Sequence, residues 1–274
     1  MSTDAYPANQ AGLAFDTLAE NYDAHFTYSS IGRAQRDVVW HKATEIFRGR
    51  LSILELNCGT GEDALFLAGQ GHHVTALDAS RAMIDRASQR KESEEPNATV
   101  DFRLLPTEYL GALPPTPFDA VFSNFSGLNC VDDLSDVALQ LGRRTDTGTP
   151  ALLCFSTRFC VWECAWYLVR GEWRKAVRRW SGHSTAVLND VSVDVHYPTV
   201  NDIAKFFAPH FTLKSTTGVG IFVPPSYLEP WMQHFPRALA AMAALDRFAC
   251  RLPILCTLGD HVLLHFVRTS EEAN

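Results

Sequence analysis

Ile53-Leu54-Glu55-Leu56-Asn57-Cys58-Gly59-Thr60-Gly61 decides how this chain is read. The apolar run Leu51 to Leu56 has the length and composition of a buried strand, and it breaks into a Gly-x-Gly turn at Gly59 and Gly61. Glu62 to Ala68 then reads as the opening of a helix. Such a unit brings backbone N–H groups close to a ligand, with the positive end of the helix facing it. A second short apolar strand, Val74 to Leu77, ends at Asp78, nineteen residues past Gly59. That spacing suits a carboxylate gripping a ribose diol.

Two cofactor classes fit this pattern. Gly59-x-Gly61-x-x-Ala64 satisfies a relaxed dinucleotide fingerprint, so NAD is one of them. A carboxylate at Glu55, however, would repel a pyrophosphate at close range. S-adenosylmethionine carries an ammonium and a sulfonium and no phosphate, and an acid at the end of the first strand suits it. The sequence therefore favours the sulfonium cofactor.

These residues carry a family resemblance. Ile53 to Gly61, followed by Thr75-Ala-Leu-Asp78-Ala-Ser80, resembles the class I S-adenosylmethionine-dependent methyltransferases of the small-molecule type. Asp101-Phe-Arg-Leu-Leu-Pro-Thr-Glu108 looks like their third strand and the turn that packs on adenine. Phe118-Asp-Ala-Val-Phe-Ser-Asn124 looks like their fourth strand, ending at the active-site mouth. The likeness covers about residues 14–156. One departure stands out: the family usually has Gly where this chain has Asn57, whose side chain would narrow the methionine pocket or add a hydrogen bond to it.

The resemblance implies an α/β fold, a Rossmann-like doubly wound, mostly parallel seven-stranded sheet. It also implies a site for S-adenosylmethionine and its product S-adenosylhomocysteine. Glu55 and the Gly59–Gly61 backbone would hold the methionine end. Asp78 would accept both ribose hydroxyls, Met83 would pack on adenine, and Thr107 and Glu108 would border its amino edge. Tyr22, Asn57 and Ala79 complete the expected cofactor set, and Asn124 would face the sulfonium. For Asp78, Met83, Glu108 and Asn124, helix capping, core packing or a solvated surface position is the alternative reading.

The bulk properties narrow the partners. A chain of 274 residues with 46% hydrophobic content makes one large α/β domain or a core with an appended cap. A formal charge of −7 argues against nucleic acid, which calls for a basic surface. The sequence holds no apolar run of about 18 residues, so no integral membrane contact is expected. The N-terminus has no secretory-signal pattern, and the seven cysteines have no framework spacing. Both point to reduced thiols in the cytoplasm. The expected partner is a small molecule.

Three regions follow from the pattern: a helical N-terminal cover over 1–50, the cofactor-binding core over 51–156, and a cap insertion with the remaining core strands over 157–274. The first dozen residues read as disordered. Phe15, Leu18, Tyr22 and Phe26 have helical spacing, and Ile31 to Phe47 reads as a second helix. Ser80 is an N-cap for a helix over Arg81–Arg90, and Lys91 to Asn97 reads as a charged link. Helices are also expected at Asp132–Leu141 and Asn201–Phe207, and strands at Ala151–Ser156, Val191–Tyr197 and His261–Arg268. Phe159 to Trp180 reads as a helical insertion holding four tryptophans. Phe211 to Val223 reads as a long strand, and a helix begun by Pro236 should turn Leu239, Met242, Leu245 and Ala249 inward.

Methyl transfer from a sulfonium needs in-line placement of a nucleophile, plus a base when that nucleophile must lose a proton. His196 and Tyr197 are the leading candidates, because they end a strand expected to return toward the mouth. His25, Tyr28 and Glu229 are the others. Any one histidine is more often structural than catalytic. Arg170 to Trp180 concentrates five positive charges. It reads either as an amphipathic cap helix with its basic face in water, or as an attractor of an acidic substrate or membrane surface. Cys160 and Cys164 share a helical face without further ligands, so no metal is expected. The aromatic cap favours a hydrophobic or aromatic acceptor, with oxygen as the acceptor atom ahead of nitrogen or carbon. The rivals are quinone or lipid methylation at a membrane surface and a non-catalytic S-adenosylmethionine-binding regulator.

Overall fold

The computed structural model describes residues 9–270 of the chain. Its first helices are α1 (Gln10–Tyr22), running into a π-helical turn at Asp23–Thr27, and α2 (Ser30–Ile46). Strand β1 (Ser52–Leu56) leads to α3 (Glu62–Gly69), β2 (His73–Asp78) to α4 (Arg81–Glu94), and β3 (Val100–Leu104) to β4 (Ala120–Ser123). Helix α5 (Leu134–Gly142) and β5 (Pro150–Ser156) complete the alternation. The insertion that follows holds α6 (Val161–Val169), α7 (Trp173–Ala176) and a separate hairpin of β6 (His183–Leu188) and β7 (Val191–His196). The chain returns through α8 (Val200–Phe207), β8 (Phe211–Val219), α9 (Glu229–Met232), α10 (Pro236–Ala249) and β9 (His261–Arg268).

The seven-stranded sheet has the order β3-β2-β1-β4-β5-β9-β8. β1 pairs in parallel with both β2 and β4, while β9 runs antiparallel between β5 and β8. The sheet is Rossmann-like and mostly parallel, as the family resemblance implies. The central strands are apolar on both faces because helices cover both, giving one core that holds Leu54, Leu56 and Val121 and another that holds Ile53, Ala76 and Phe122. The chain reverses its direction of travel across the sheet between β1 and β4, and this opens a crevice beyond their carboxyl ends.

Several expectations need correction. The disorder expected over the first dozen residues fails from Asn9 onward. Asn9 accepts the Gly12 N–H and caps α1. Residues 1–8, and with them the absence of a signal, lie outside the described residues. The charged link starts later than expected, because α4 continues to Glu94. Lys, Glu and Arg are good helix formers when they face water, so a charged run need not end a helix. Phe159–Trp180 is not one helix. It divides at Gly171, which has a positive φ of 73°, and a turn at Arg178–Ser181 leads into β6, a strand absent from the expected set. β8 stops at Val219 rather than running to Val223. On α10, Leu239 and Ala249 are buried but Leu245 is exposed, and the inward position is Asp246. Its carboxylate accepts the backbone N–H groups of Phe222 and Val223, a bond set that an apolar-stripe reading does not anticipate.

Candidate functional site

The glycine turn does what its sequence indicates. Gly59 and Gly61 have φ of 55° and 79°. A Cβ at Gly61 would lie 2.8 Å from Phe102 Cζ and 2.9 Å from Ala87 Cβ, so glycine is required there for both conformation and space. Asn57 also has a positive φ, 56°, which explains the family's usual glycine at this position. Asn is among the few other residues that tolerate the left-handed region. Its side-chain oxygen accepts from Thr107 Oγ1 at 3.4 Å, so Thr107 braces Asn57 and is absent from the cleft lining.

A cleft of about 750 Å³ opens over this turn. Of the expected cofactor set, Tyr22, Asn57, Gly59, Asp78, Ala79, Met83, Glu108 and Asn124 line it, whereas Glu55 and Gly61 do not. Asp78 accepts from Gly59 N–H and Ser80 N–H at 2.8 Å each, which fixes its carboxylate at the end of β2. Burial pushes its pKa up to about 6 against the pull of those N–H bonds. Glu108 accepts from Asn9 Nδ2 at 3.0 Å, tying α1 to the far wall.

Glu55 is the fourth residue of β1 and is 1% exposed. Its Oε2 has no hydrogen-bond partner among the described residues. Burial, reinforced by the nearby Asp63 and Asp78 charges, holds its carboxyl well above the usual range. Arg36, paired with Asp63, pulls the Glu55 carboxyl the other way, yet a buried acid with an open oxygen still suits a cation. It disfavours a pyrophosphate. The orphaned Glu55 therefore fits the ammonium-bearing end of S-adenosylmethionine.

Sequence reasoning missed a buried cluster beside this end. Arg36 on α2 forms an ion pair with Asp63 at the start of α3. Asp63 also accepts from Trp40 Nε1 at 2.6 Å and Asn124 Nδ2 at 3.2 Å. Both Arg36 and Asp63 line the cleft. A signal was present: Gly32, Arg36, Val39 and Ala43 form one buried stripe of α2, so the periodicity already put a guanidinium on a core-facing position.

The N-terminal cover is fastened over the cleft by polar contacts. Asp16 accepts from Ser80 Oγ at 2.6 Å and Ala82 N–H at 2.9 Å, at the start of α4. Asp23 accepts from Thr60 Oγ1 at 2.6 Å and pairs with Arg90 at 2.7 Å.

A second cleft, about 1250 Å³, adjoins the first and shares Tyr22 and Phe125 with it. Phe125 and Ser126 follow β4 with φ of 48° and 67°, a strained turn that holds the Phe125 ring between the clefts. That ring meets Phe26 edge-on at 4.7 Å on one side and His261 at 5.4 Å on the other. Tyr227, Arg178, Arg179, His25 and Asp260 also line this second space.

The catalytic candidates fare differently. Asn124 reaches the first cleft, but His196 and Tyr197 line neither. His196 Nε2 lies 3.0 Å from Asp132, and Tyr197 is buried beneath the Arg179 guanidinium. The expectation failed because β7 belongs to a separate hairpin rather than to the main sheet. Glu229 caps α2, accepting from Ser30 N–H and Ile31 N–H at 2.9 Å each. Tyr28 receives a hydrogen bond from Arg90 at 3.1 Å. In the basic stretch Arg170, Arg174, Lys175 and Arg178 are exposed, as a basic face in water predicts, while Arg179 is buried; Arg178 and Arg179 both pair with the buried Glu163.

A mostly parallel sheet, a glycine turn at its crevice and an acid on the second strand define an adenosyl-binding α/β domain. Residues 53–147 match the family model described as a methyltransferase domain. This region is a class I S-adenosylmethionine-dependent methyltransferase domain, and the cofactor of such a domain is S-adenosylmethionine. The chain is similar to a demethylmenaquinone methyltransferase of Leptospira interrogans, with 31% identity over 133 residues, covering 47% of this chain and 53% of the relative. It is also similar to the tRNA 5-carboxymethoxyuridine methyltransferase of Escherichia coli, with 25% identity over 111 residues, covering 39% and 42% respectively. The chain thus spans about half the length of the curated relatives it matches. Among solved structures, the cyclase SpnF has the same fold, with a TM-score of 0.64 at 15% identity and coverage of 98% of this chain and 99% of that one.

Proposed function

We propose that this chain transfers a methyl group from S-adenosylmethionine to a small aromatic or hydrophobic acceptor, with a hydroxyl oxygen as the favoured acceptor atom. The observation that carries this reading is the second cleft of about 1250 Å³, which meets the first across Tyr22 and Phe125. One cleft has the acids and glycine turn for the donor, and the other offers aromatic walls at the point of contact. When bound, S-adenosylmethionine supplies an electrophilic methyl group on a cationic sulfur.

The residues of the chain then bind, orient and exclude water. Glu55 becomes a charged partner for the ammonium, and Asp78 accepts the ribose hydroxyls. Met83 packs against the adenine, and Tyr22 and Phe125 wall the passage between donor and acceptor. Positioning of this kind supplies roughly 7–11 kcal/mol of barrier reduction without any covalent step on the protein.

The tryptophans at the surface of the cap, with Trp173 61% and Trp231 64% exposed, support a variant in which the acceptor is a quinone-like molecule met at a membrane surface. Among the described residues no helix is long and apolar enough to cross a membrane. The net charge of −7 favours a small molecule over RNA as acceptor. All seven cysteines are free, which accords with a reducing compartment such as the cytoplasm. The likeness to a cyclase gives a non-methylating reading one observation of its own.

Two measurements test the proposal. Calorimetry should detect S-adenosylhomocysteine binding, and labelled methyl from S-adenosylmethionine should appear on members of a panel of phenols, catechols and quinols. Tight binding with no transfer to any member would favour the non-methylating reading. No binding at all would remove both.

A further inference from the structure

We propose that His261 is the general base of the acceptor cleft, with Asp260 as its positioning partner, and that the acceptor is therefore an ionisable, phenol-like hydroxyl. This rests on the methyltransferase reading above and assigns the group that takes the acceptor's proton.

The placement follows from topology. Ligands bind beyond the carboxyl ends of the parallel strands. β9 runs against them, so its first residue, not its last, arrives at that edge. In the sheet register His261 lies opposite Ser156, the last residue of β5, and opposite Val219, the last of β8. His261 lines the acceptor cleft, and its ring stands edge-on to Phe125, which lines the donor cleft as well. One aromatic ring therefore separates the imidazole from the donor site.

The surroundings suit a neutral base. His261 Nδ1 is buried without a hydrogen-bond partner among the described residues and faces Asp260 Oδ2 at 3.6 Å. Asp260 is held on its other side by Arg179 at 3.0 Å, and Arg179 is in turn held by Glu163 at 2.6 Å. This chain of contacts fixes the carboxylate, and against burial the Arg179 guanidinium, by its charge and its hydrogen bond, favours the charged form. Burial, with a smaller push from Arg179, holds the His261 pKa below 6.5 against the Asp260 charge, so the ring is neutral near pH 7. The other charged or titratable groups facing the cleft are Arg178 on the same turn as Arg179, Tyr227 before α9, and Tyr22 and His25 in the cover. His25 is engaged through Nδ1 by the Asn21 carbonyl at 2.8 Å.

The proton step is simple. The acceptor O–H bond breaks and its electron pair stays on oxygen. The proton adds to the lone pair of His261 Nε2, while Nδ1–H points at Asp260, whose charge balances the resulting imidazolium. The oxygen is then an anionic nucleophile at the boundary of the two clefts.

The test uses the full chain saturated with S-adenosylhomocysteine, with 4-nitrophenol as probe, because its phenolate absorbs visible light and its phenol does not. The wild-type protein should ionise bound 4-nitrophenol at a pH at least one unit below the free probe, a tenfold shift. Nitrogen-15 spectra should show His261 gaining the proton. H261N and H261Q should lose the shift while binding S-adenosylhomocysteine with unchanged affinity. D260N should reduce the shift, and H196Q, at a residue outside both clefts, should keep it. No shift in the wild type, or an equal shift in both His261 variants, overturns the assignment. If S-adenosylhomocysteine itself gives no heat, the methyltransferase reading falls instead. Should H261N fail to fold, H261Q and the nitrogen-15 titration of the wild type decide the matter.

Discussion

The glycine turn and the loop after β4 are coupled through two residues, and the coupling is measurable. Gly127 lies against the Asn57 side chain: a Cβ at Gly127 would stand 2.5 Å from Asn57 Cγ, 3.0 Å from its Oδ1, and closer still to its Cβ. Normal contact between such atoms is about 3.5–4 Å, so Gly127→Ala forces a displacement of at least about 1 Å. The turn that must give way lines the donor cleft. Overpacking of that order costs about 1–3 kcal/mol. Asn57→Gly removes the obstructing side chain, and at φ 56° glycine is the more comfortable residue, so that change alone should alter stability by less than about 1 kcal/mol. The double variant should then regain most of what Gly127→Ala loses, a coupling of about 2 kcal/mol. Urea unfolding of the four proteins measures it directly. S-adenosylhomocysteine affinity should follow the same pattern, weakened in the single alanine variant and restored in the double. Additive effects would refute the idea that Asn57 occupies the space that Gly127 leaves.

Three further outcomes follow from the site. Asp78→Ala removes a charged acceptor and should weaken S-adenosylhomocysteine binding by roughly 10- to 100-fold in calorimetry, the effect of losing about 1.5–3 kcal/mol; an unchanged affinity would mean that the ribose lies elsewhere. Because the free carboxyl has a pKa of about 6 and ribose hydroxyls bind its charged form, affinity should fall as pH drops through 6, by about tenfold between pH 7 and pH 5. Asp78→Ala should lose this tenfold share, leaving only the dependence set by the raised pKa of Glu55. Asp63→Ala leaves Arg36, Trp40 and Asn124 without their shared acceptor. Breaking such a buried pair costs about 3–5 kcal/mol, so thermal unfolding should shift down by roughly 10 °C; a shift of a degree or less would show that the cluster contributes little.

The parts of this architecture that were legible in the sequence are those set by local backbone demands. The break after Leu56, the acid at Asp78 and the cap at Ser80 follow from glycine conformation, strand length and orphaned N–H groups, all local properties. The direction in which a strand crosses the sheet is not local. His196 and His261 both sit at strand ends, and which of them faces the crevice depends on whether the strand joins the main sheet and on its sense there. β6 escaped notice because it buries no face and therefore lacks a strong alternation. Arg36 was legible in principle, since its position on α2 falls within the apolar stripe. The burial of Arg179 was not, since a buried Glu163 sixteen residues away draws it inward.

The helix that roofs the donor cleft is buckled to the core by Asp16, Asp23 and Asn9 and to the hairpin by Asn189. A nucleoside-sized molecule beneath such a roof leaves only when the buckles release. Exchange of spent donor for fresh should then be a gated event. The Arg90–Asp23 clasp is buried and little screened by salt, so Asp23→Asn rather than added ions should hasten it. Rapid-mixing displacement of labelled S-adenosylhomocysteine, compared between that variant and the unaltered protein, would read that gate directly.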